Sequence, residues 1–279
     1  MSRPTAAFFD LDKTIIAKSS TFAFSKEFQA GGLISRVAVL RSAYAHFVYL
    51  VGGANHDQME KMRQLMSQLS AGWDVQTVRD IVADTVHHKI DPLVYDEAVN
   101  LIERHHAAGR DVIIVSTSGV ELVQPIGEML GADHVVATHL EIDEDGKYTG
   151  NIRFYAYAEN KAKAITDLAR KRGYDLTRSY AYSDSMTDVH MLEAVGHPYA
   201  VNPDKDLRRV AREREWPILV FEKPVALRSR MKLPPARPTL AALGVAGVGA
   251  LAAAVWIGAH RARRRAPAPR PPLASLRRS

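Results

Sequence analysis

A chain of 279 residues with 47% hydrophobic content can bury a proper core and has the length of one large or two small domains. It contains no cysteine, which excludes a disulfide framework, a thiolate metal site and a thiol nucleophile. The formal charge of +6 is unevenly placed: Ala226 to Ser279 hold eleven Lys or Arg and no acid, so residues 1–225 carry 26 bases against 31 acids. The positive charge thus brackets an apolar tail segment, which points to a membrane surface rather than to nucleic acid.

In chain order, Met1 to Thr5 lack the charged and apolar regions of a signal peptide, so a cytoplasmic N-terminal domain is expected. "TAAFFD" is a short apolar run of the kind that forms a strand covered on both faces. Residues 17–92 read helically, as "TFAFSKEFQAGG", "LISRVAVLRSAYAHFVYLVGG", "HDQMEKMRQLMSQL" and "DVQTVRDIVADTVHHKI", and predict an all-helical insertion after the first strand. Phe22, Phe24, Tyr44, Phe47 and Tyr49 lie there at helical spacing and are expected to pack the insertion.

From residue 93 onward, strands and helices alternate. Strands are expected at "RDVIIVSTSG", "DHVVATH", "SYAYSDS", "PYAVN" and "PILVF", with helices at "DEAVNLIERHHAAG", "VELVQPIGEMLG", "NKAKAITDLARKRG" and "TDVHMLEAVG". In "LEIDEDGKYTGNI", Asp145-Gly146 marks a hairpin turn. The alternation predicts an α/β fold with a doubly wound, mostly parallel sheet. His87-His88 and His105-His106 are adjacent pairs, and neighbours on a helix do not face one another, so they are read as helix surface. "VFEKPVALRSRMKLPPARP" reads as a proline-stiffened linker, which gives way over residues 226–238 to Thr239 to Ala259. Those 21 uncharged residues match the length of a transmembrane helix, and the basic, proline-rich residues 260–279 are expected to be disordered against anionic lipid.

In an open parallel sheet, functional groups gather at the carboxyl ends of the strands. Asp10 and Asp12 follow the first strand with Thr14 just beyond, Ser116 and Thr117 end "VIIVST", and Asp184 and Asp188 follow "SYAYS". Brought together, these carboxylates form a cluster suited to a hard cation such as Mg²⁺. Lys161, opening the helix in "AENKAKAI", balances their charge and can hold a phosphoryl group.

With "FFDLDKT", "VIIVS", the lysine of "NKAKAI" and "YSDSMTD" in this order, the chain resembles the haloacid dehalogenase superfamily over residues 4–221. The likeness is to its phosphoserine phosphatase-like branch, which carries a helical cap. The resemblance implies a Rossmann-like core of residues 1–16 and 93–225, a cap at 17–92, and a phosphoric monoester hydrolase acting on a small phosphorylated metabolite. It implies Asp10 as the nucleophile that forms an aspartyl-phosphate and Asp12 as general acid and base. Mg²⁺ would be held by Asp10, the Asp12 backbone carbonyl and Asp184, and phosphoryl oxygens by Ser116, Thr117 and Lys161, with Asp188 and Thr14 in support. On the same likeness the cap arginine that grips the substrate is Arg63. The sequence departs from the branch where Ser19 replaces the glutamate that holds the substrate ammonium, His56 replaces an aromatic residue, and Ser183 and Thr187 replace the glycine and asparagine of the fourth motif. The alternatives are a phosphotransferase or mutase on the same scaffold, or a membrane-tethered regulatory protein with a vestigial site. A cytoplasmic catalytic domain anchored to the cell membrane completes the expectation.

Overall fold

The computed structural model describes residues 3–33, 68–222 and 224. Its strands are β1 (Ala6–Phe9), β2 (Asp111–Gly119), β3 (His134–Ile142), β4 (Tyr148–Phe154), β5 (Tyr180–Ser183), β6 (His197–Val201) and β7 (Ile218–Leu219). They form one seven-stranded sheet in the order β4-β3-β2-β1-β5-β6-β7. All neighbours run parallel except β3 and β4. These two are the arms of the hairpin marked by Asp145-Gly146, with Gly146 at a φ of 77° that a side chain would resist.

The helices are α1 (Ser20–Ala23), α2 (Ser25–Ala30), α3 (Val75–Lys89), α4 (Asp96–Ala107), α5 (Val120–Leu130), α6 (Glu159–Arg172), α7 (Val189–Glu193) and α8 (Lys205–Glu213). Strand alternation sends Ala7, Phe9, Val112, Ile114 and Tyr182 to one face, under Ala98 and Ile102 of α4 and Leu122, Val123 and Ile126 of α5. Ala6, Phe8, Ile113, Val115 and Ala181 go to the other, under Ile165 of α6, Met191 and Leu192 of α7 and Leu207 of α8. Burying each large side chain contributes about 1.5–3 kcal/mol, so both faces drive the layered arrangement. The chain winds outward from β1 through β2, β3 and β4, then returns to lay β5 on the free side of β1. At that reversal the connections part in opposite directions, opening a crevice beyond the carboxyl ends of β1 and β5.

The helical insertion leaves and re-enters through paired backbone. Ala17 N donates to Leu93 O at 2.8 Å and Tyr95 N to Ile15 O at 2.9 Å. Inside it, the single helix expected at residues 21–32 is divided into α1 and α2 with Phe24 between them. Phe24 is buried, whereas Phe22 is 72% exposed, which corrects its expected packing role. Tyr44, Phe47 and Tyr49 lie outside the described residues. The returning helix α3 starts at Asp74, whose carboxylate caps Thr77 N at 2.6 Å. It buries Val75, Val78, Val82 and Val86 in the same core cluster as α5. The hairpin grips its entry: Gly72 N donates to Tyr148 O at 2.8 Å and Val75 N to Gly146 O at 3.0 Å.

Two further expectations are corrected. His105 does not lie on the helix surface: it is buried, its ring packed against Phe9, Tyr180 and Tyr182, while His87, His88 and His106 are exposed. The 12-residue α4 turns His105 onto the sheet, whereas α3 buries Val86 and leaves both His87 and His88 facing outward. The fold class also loses its C-terminal transmembrane helix. No helix among the described residues is long and apolar enough to cross a membrane. Thr239 to Ala259 lie outside those residues, so the anchor and the cell-membrane location are withdrawn.

Candidate active site

Alternation continues past the end of β1, so Asp10 follows Ala6 and Phe8 toward α6 while its N–H still pairs with Tyr182 O at 2.9 Å. There it meets Lys161 from the first turn of α6. Lys161 Nζ donates to Asp10 Oδ1 at 2.6 Å and to Asp188 Oδ2 at 2.8 Å. Ser183 Oγ donates to the same Asp188 oxygen at 2.8 Å, and Thr14 Oγ1 to Asp10 Oδ2 at 3.2 Å. Lys161 is only 1% exposed, and a buried ammonium is tolerable only with such partners. Burial acts to lower its pKa, but the Asp10 and Asp188 carboxylates outweigh burial and hold it above the ordinary lysine range.

The backbone stores strain on both sides of this pair. After β1, the N–H groups of Thr14, Ile15 and Ile16 all turn back on Leu11 O at 3.3, 2.9 and 3.1 Å. Lys13 sits in that turn at a φ of 62°, and Ala158 just before α6 has a φ of 50°. Left-handed geometry costs a non-glycine residue on the order of 1 kcal/mol, and here it aims Asp12 and Lys161 inward.

Asp12 has a different environment. Ser20 N, at the start of α1, donates to its Oδ1 at 2.7 Å, and Ser118 Oγ donates to its Oδ2 at 3.3 Å. Both donors are neutral, and burial raises its pKa. At the tip of β5, burial and then the Asp10 charge push Asp184 up to about 8, and burial pushes Asp10 up to about 7 against the pull of Lys161. Two buried carboxylates that oppose each other's ionisation invite a cation between them.

Among the described residues no group of three or more His, Asp or Glu side chains is arranged to hold a metal. Two carboxylates and a main-chain carbonyl nevertheless suit Mg²⁺, which keeps several waters and takes the rest of its shell from substrate phosphate. All donors are oxygens, which fits a hard cation.

The structure thus brings Asp10, Thr14, Lys161, Ser183 and Asp188 into one hydrogen-bonded group, with the charge of Asp12 felt at Asp10 and that of Asp10 felt at Asp184. Ser116 is buried within β2, three residues before its end, and its Oγ accepts from Ser118 N at 3.2 Å. The Thr117 hydroxyl donates to Ala156 O at 3.1 Å, which turns it toward the connection before α6. Arg63 lies outside the described residues. Three contributors were not foreseen: Ser20, Ser118 and the Ser183 hydroxyl. Ser118 was findable, since it stands two residues after Ser116 and so on the same side of an extended chain. The contact of Ser20 with Asp12 depends on how the chain turns after Thr14, which no periodicity shows.

An acidic crevice at the strand ends of a doubly wound sheet, with a lysine buried among the carboxylates, defines a hydrolase of the α/β class. The chain belongs to the haloacid dehalogenase-like hydrolase family, whose model matches residues 7–193. It is similar to the inhibition of morphological differentiation protein of Streptomyces azureus, 61% identical over 94% of this chain and 95% of that one. A probable phosphatase of Mycobacterium tuberculosis is 56% identical over 89% of this chain and 86% of its own. A phosphoserine phosphatase of the same organism is 34% identical over 89% and 79%. Among solved structures, a protein of unknown function from Bordetella pertussis superposes with a TM-score of 0.69 at 28% identity, covering 78% of this chain and 99% of that one. The chain is an enzyme, a phosphatase of the phosphoserine phosphatase-like branch.

Proposed function

We propose that this phosphatase hydrolyses a small phosphomonoester through a covalent aspartyl-phosphate on Asp10. The observation that carries the reading is the pairing of Asp10 Oδ1 with Lys161 at 2.6 Å, beside an Asp12 whose donors are both neutral. Lys161 pulls Asp10 toward its anionic form against the effect of burial and directs it, leaving one carboxylate for attack and another able to carry a proton. Asp10 attacks phosphorus and the bond to the alcohol oxygen breaks, while Asp12 supplies the proton that oxygen needs. Asp12 then takes a proton from water as it attacks the aspartyl-phosphate, releasing phosphate and restoring Asp10.

Mg²⁺, held by Asp10, Asp184 and the Asp12 carbonyl, would supply charge neutralisation for the phosphoryl oxygens. Ser116 and Lys161 would hold those oxygens from the protein side, with Asp188 fixing Lys161. The substrate is a small phosphorylated metabolite. One relative is named a phosphoserine phosphatase, but Ser19, where the branch has its ammonium-binding glutamate, makes selectivity for an amino group weak.

The test is Asp10→Asn with p-nitrophenyl phosphate, with and without Mg²⁺. The amide keeps the shape and removes the nucleophile, so turnover should vanish while the melting temperature holds. Wild-type turnover in that variant would refute the covalent mechanism, and activity indifferent to chelation would refute the metal.

A further inference from the structure

Around Asp12 the structure holds a group of hydroxyls to which the mechanism above gives no task. Ser118 Oγ lies 3.3 Å from Asp12 Oδ2, 2.9 Å from Ser20 Oγ and 3.2 Å from Thr21 Oγ1. Ser20 is fully buried, and its own N–H is committed to Asp12 Oδ1 at 2.7 Å. The two oxygens of Asp12 are therefore held from two different elements. Oδ1 is tied to the start of α1, in the helical insertion, and Oδ2 to the end of β2, in the core sheet.

A carboxyl group that serves as acid carries its proton on one oxygen and aims it at the leaving group, and the oxygen that carries the proton is the poorer acceptor, so the tie to that oxygen weakens. The tie to Ser20 N–H is the shorter, and its donor is a backbone group of a fully buried residue. The tie to Ser118 is long, and its donor has alternatives. A serine hydroxyl has one hydrogen to give, and here three acceptors stand within reach of it. When Oδ2 turns to substrate, the hydrogen of the half-buried Ser118 hydroxyl can pass to Ser20 or Thr21, so the donor is never left without a partner. Ser118 itself is fixed by its N–H to Ser116 Oγ at 3.2 Å, so its hydroxyl, not its backbone, makes the exchange.

We propose that Ser118 is a positioning residue for proton transfer: it holds Asp12 Oδ2 in line between turnovers and releases it to the leaving-group oxygen by giving its hydrogen to Ser20 or Thr21. This rests on the reading of Asp12 as the acid.

The experiment compares wild type, Ser118→Ala, Ser118→Thr and Asp12→Asn on p-nitrophenyl phosphate, whose leaving group needs little protonation, and on an alkyl phosphate, whose leaving group needs it fully. Proton donation is worth about 10²–10⁴-fold, and its positioning a part of that. Ser118→Ala should therefore lose about 10-fold or more in kcat/KM, which reports the step that expels the alcohol, on the alkyl phosphate and less than about 3-fold on the aryl one. Ser118→Thr, which keeps the hydroxyl, should recover most of the loss. Asp12→Asn should show the same discrimination, larger. An equal loss on both substrates, or no loss, in a Ser118→Ala protein that melts like wild type would overturn the proposal, as would an inactive Ser118→Thr that melts like wild type. If Asp12→Asn itself shows no leaving-group discrimination, the acid reading fails first and the role of Ser118 with it, an outcome distinct from a Ser118 result alone.

Discussion

Two buried polar groups lie within a strand's length of each other, and they are built on opposite terms. At the carboxyl end of the sheet, Lys161, Asp10, Asp188 and Ser183 form a charged group with bonds of 2.6 to 2.8 Å. Under α4, on the other face, His105 Nε2 meets the Tyr182 hydroxyl at 2.9 Å among stacked rings, and its Nδ1 is buried with no hydrogen-bond partner. Burial and the nearby Arg110 charge drive His105 down to about 4, so this second group stays neutral at physiological pH. Phe9 stacks on Tyr182 at 4.4 Å and Tyr182 on Tyr199 at 5.1 Å, which extends the neutral group across three strands. The charged group holds its geometry by mutual attraction, whereas the aromatic one holds by shape. The difference teaches which of the two depends on its charges: apolar side chains could fill the aromatic space, but no apolar set replaces two buried carboxylates and their shared ammonium partner.

The largest effect should follow from breaking the charged group. Lys161→Met leaves Asp10 and Asp188 buried without their common partner, a loss of about 3–5 kcal/mol together with all measurable turnover. Urea unfolding reads the first and p-nitrophenyl phosphate hydrolysis the second. Adding Asp188→Asn to Lys161→Met should return part of the stability and none of the activity, because it removes one stranded charge but not the need for the lysine.

The aromatic group should show itself through pH. A histidine whose pKa falls from its ordinary 6.5 to about 4 on folding binds fewer protons when folded than when unfolded. Its contribution is then fully present above pH 6.5 and is lost as pH falls through 4. A shift of this size corresponds to about 3 kcal/mol at the acid limit. His105→Gln, which keeps a hydrogen-bonding group for Tyr182 and cannot titrate, should flatten that part of the stability profile. An unchanged slope between pH 6.5 and 4 would mean that His105 is already charged in the folded state.

Much of this arrangement could be read in the sequence, and the limits were physical. The strands of the core, the hairpin turn and the order of the site motifs follow from local apolar runs and from Asp145-Gly146, because each is a short-range signal. Helices α5 and α6 end at Gly131 and Gly173 in left-handed geometry, as their C′ glycines indicate. The helix expected over 187–196 shortens to Val189–Glu193 behind a 3₁₀ turn, Met186–Asp188, because Ser185 caps Thr187 N at 3.3 Å. What could not be read is contact between distant segments. His105 and Tyr182 are 77 residues apart, and Asp12 and Ser118 are 106 apart. Neither pair leaves a mark in local periodicity, and an adjacent histidine pair carries no sign of which member turns inward.

A smaller effect than either should separate the two kinds of hydrogen bond. Ser183 donates to a carboxylate that already serves Lys161, so Ser183→Ala removes a bond to a charged group and should cost about 1.5–3 kcal/mol. It should also lower kcat, since Asp188 then holds Lys161 less firmly. If the melting temperature falls while kcat stays unchanged, Lys161 needs no help from Asp188 in turnover.

The smallest expected effect is the sharpest test of the contrast between the two groups. Tyr182→Phe alone deletes the partner of His105 Nε2 and leaves the ring with both nitrogens buried and unpaired, a loss of about 1–3 kcal/mol. His105→Phe alone strands the Tyr182 hydroxyl and should cost about as much. Made together, the two substitutions remove donor and acceptor at once and leave rings where rings were, and replacing both partners by apolar groups of similar shape is close to neutral. The double variant should therefore unfold within about 1 kcal/mol of wild type, hydrolyse p-nitrophenyl phosphate at the wild-type rate, and lose the acid-limb slope. Were its stability to fall by the sum of the two single losses, the coupling between His105 and Tyr182 would be nil, and each loss would come from the packing of its own side chain rather than from the hydrogen bond they share.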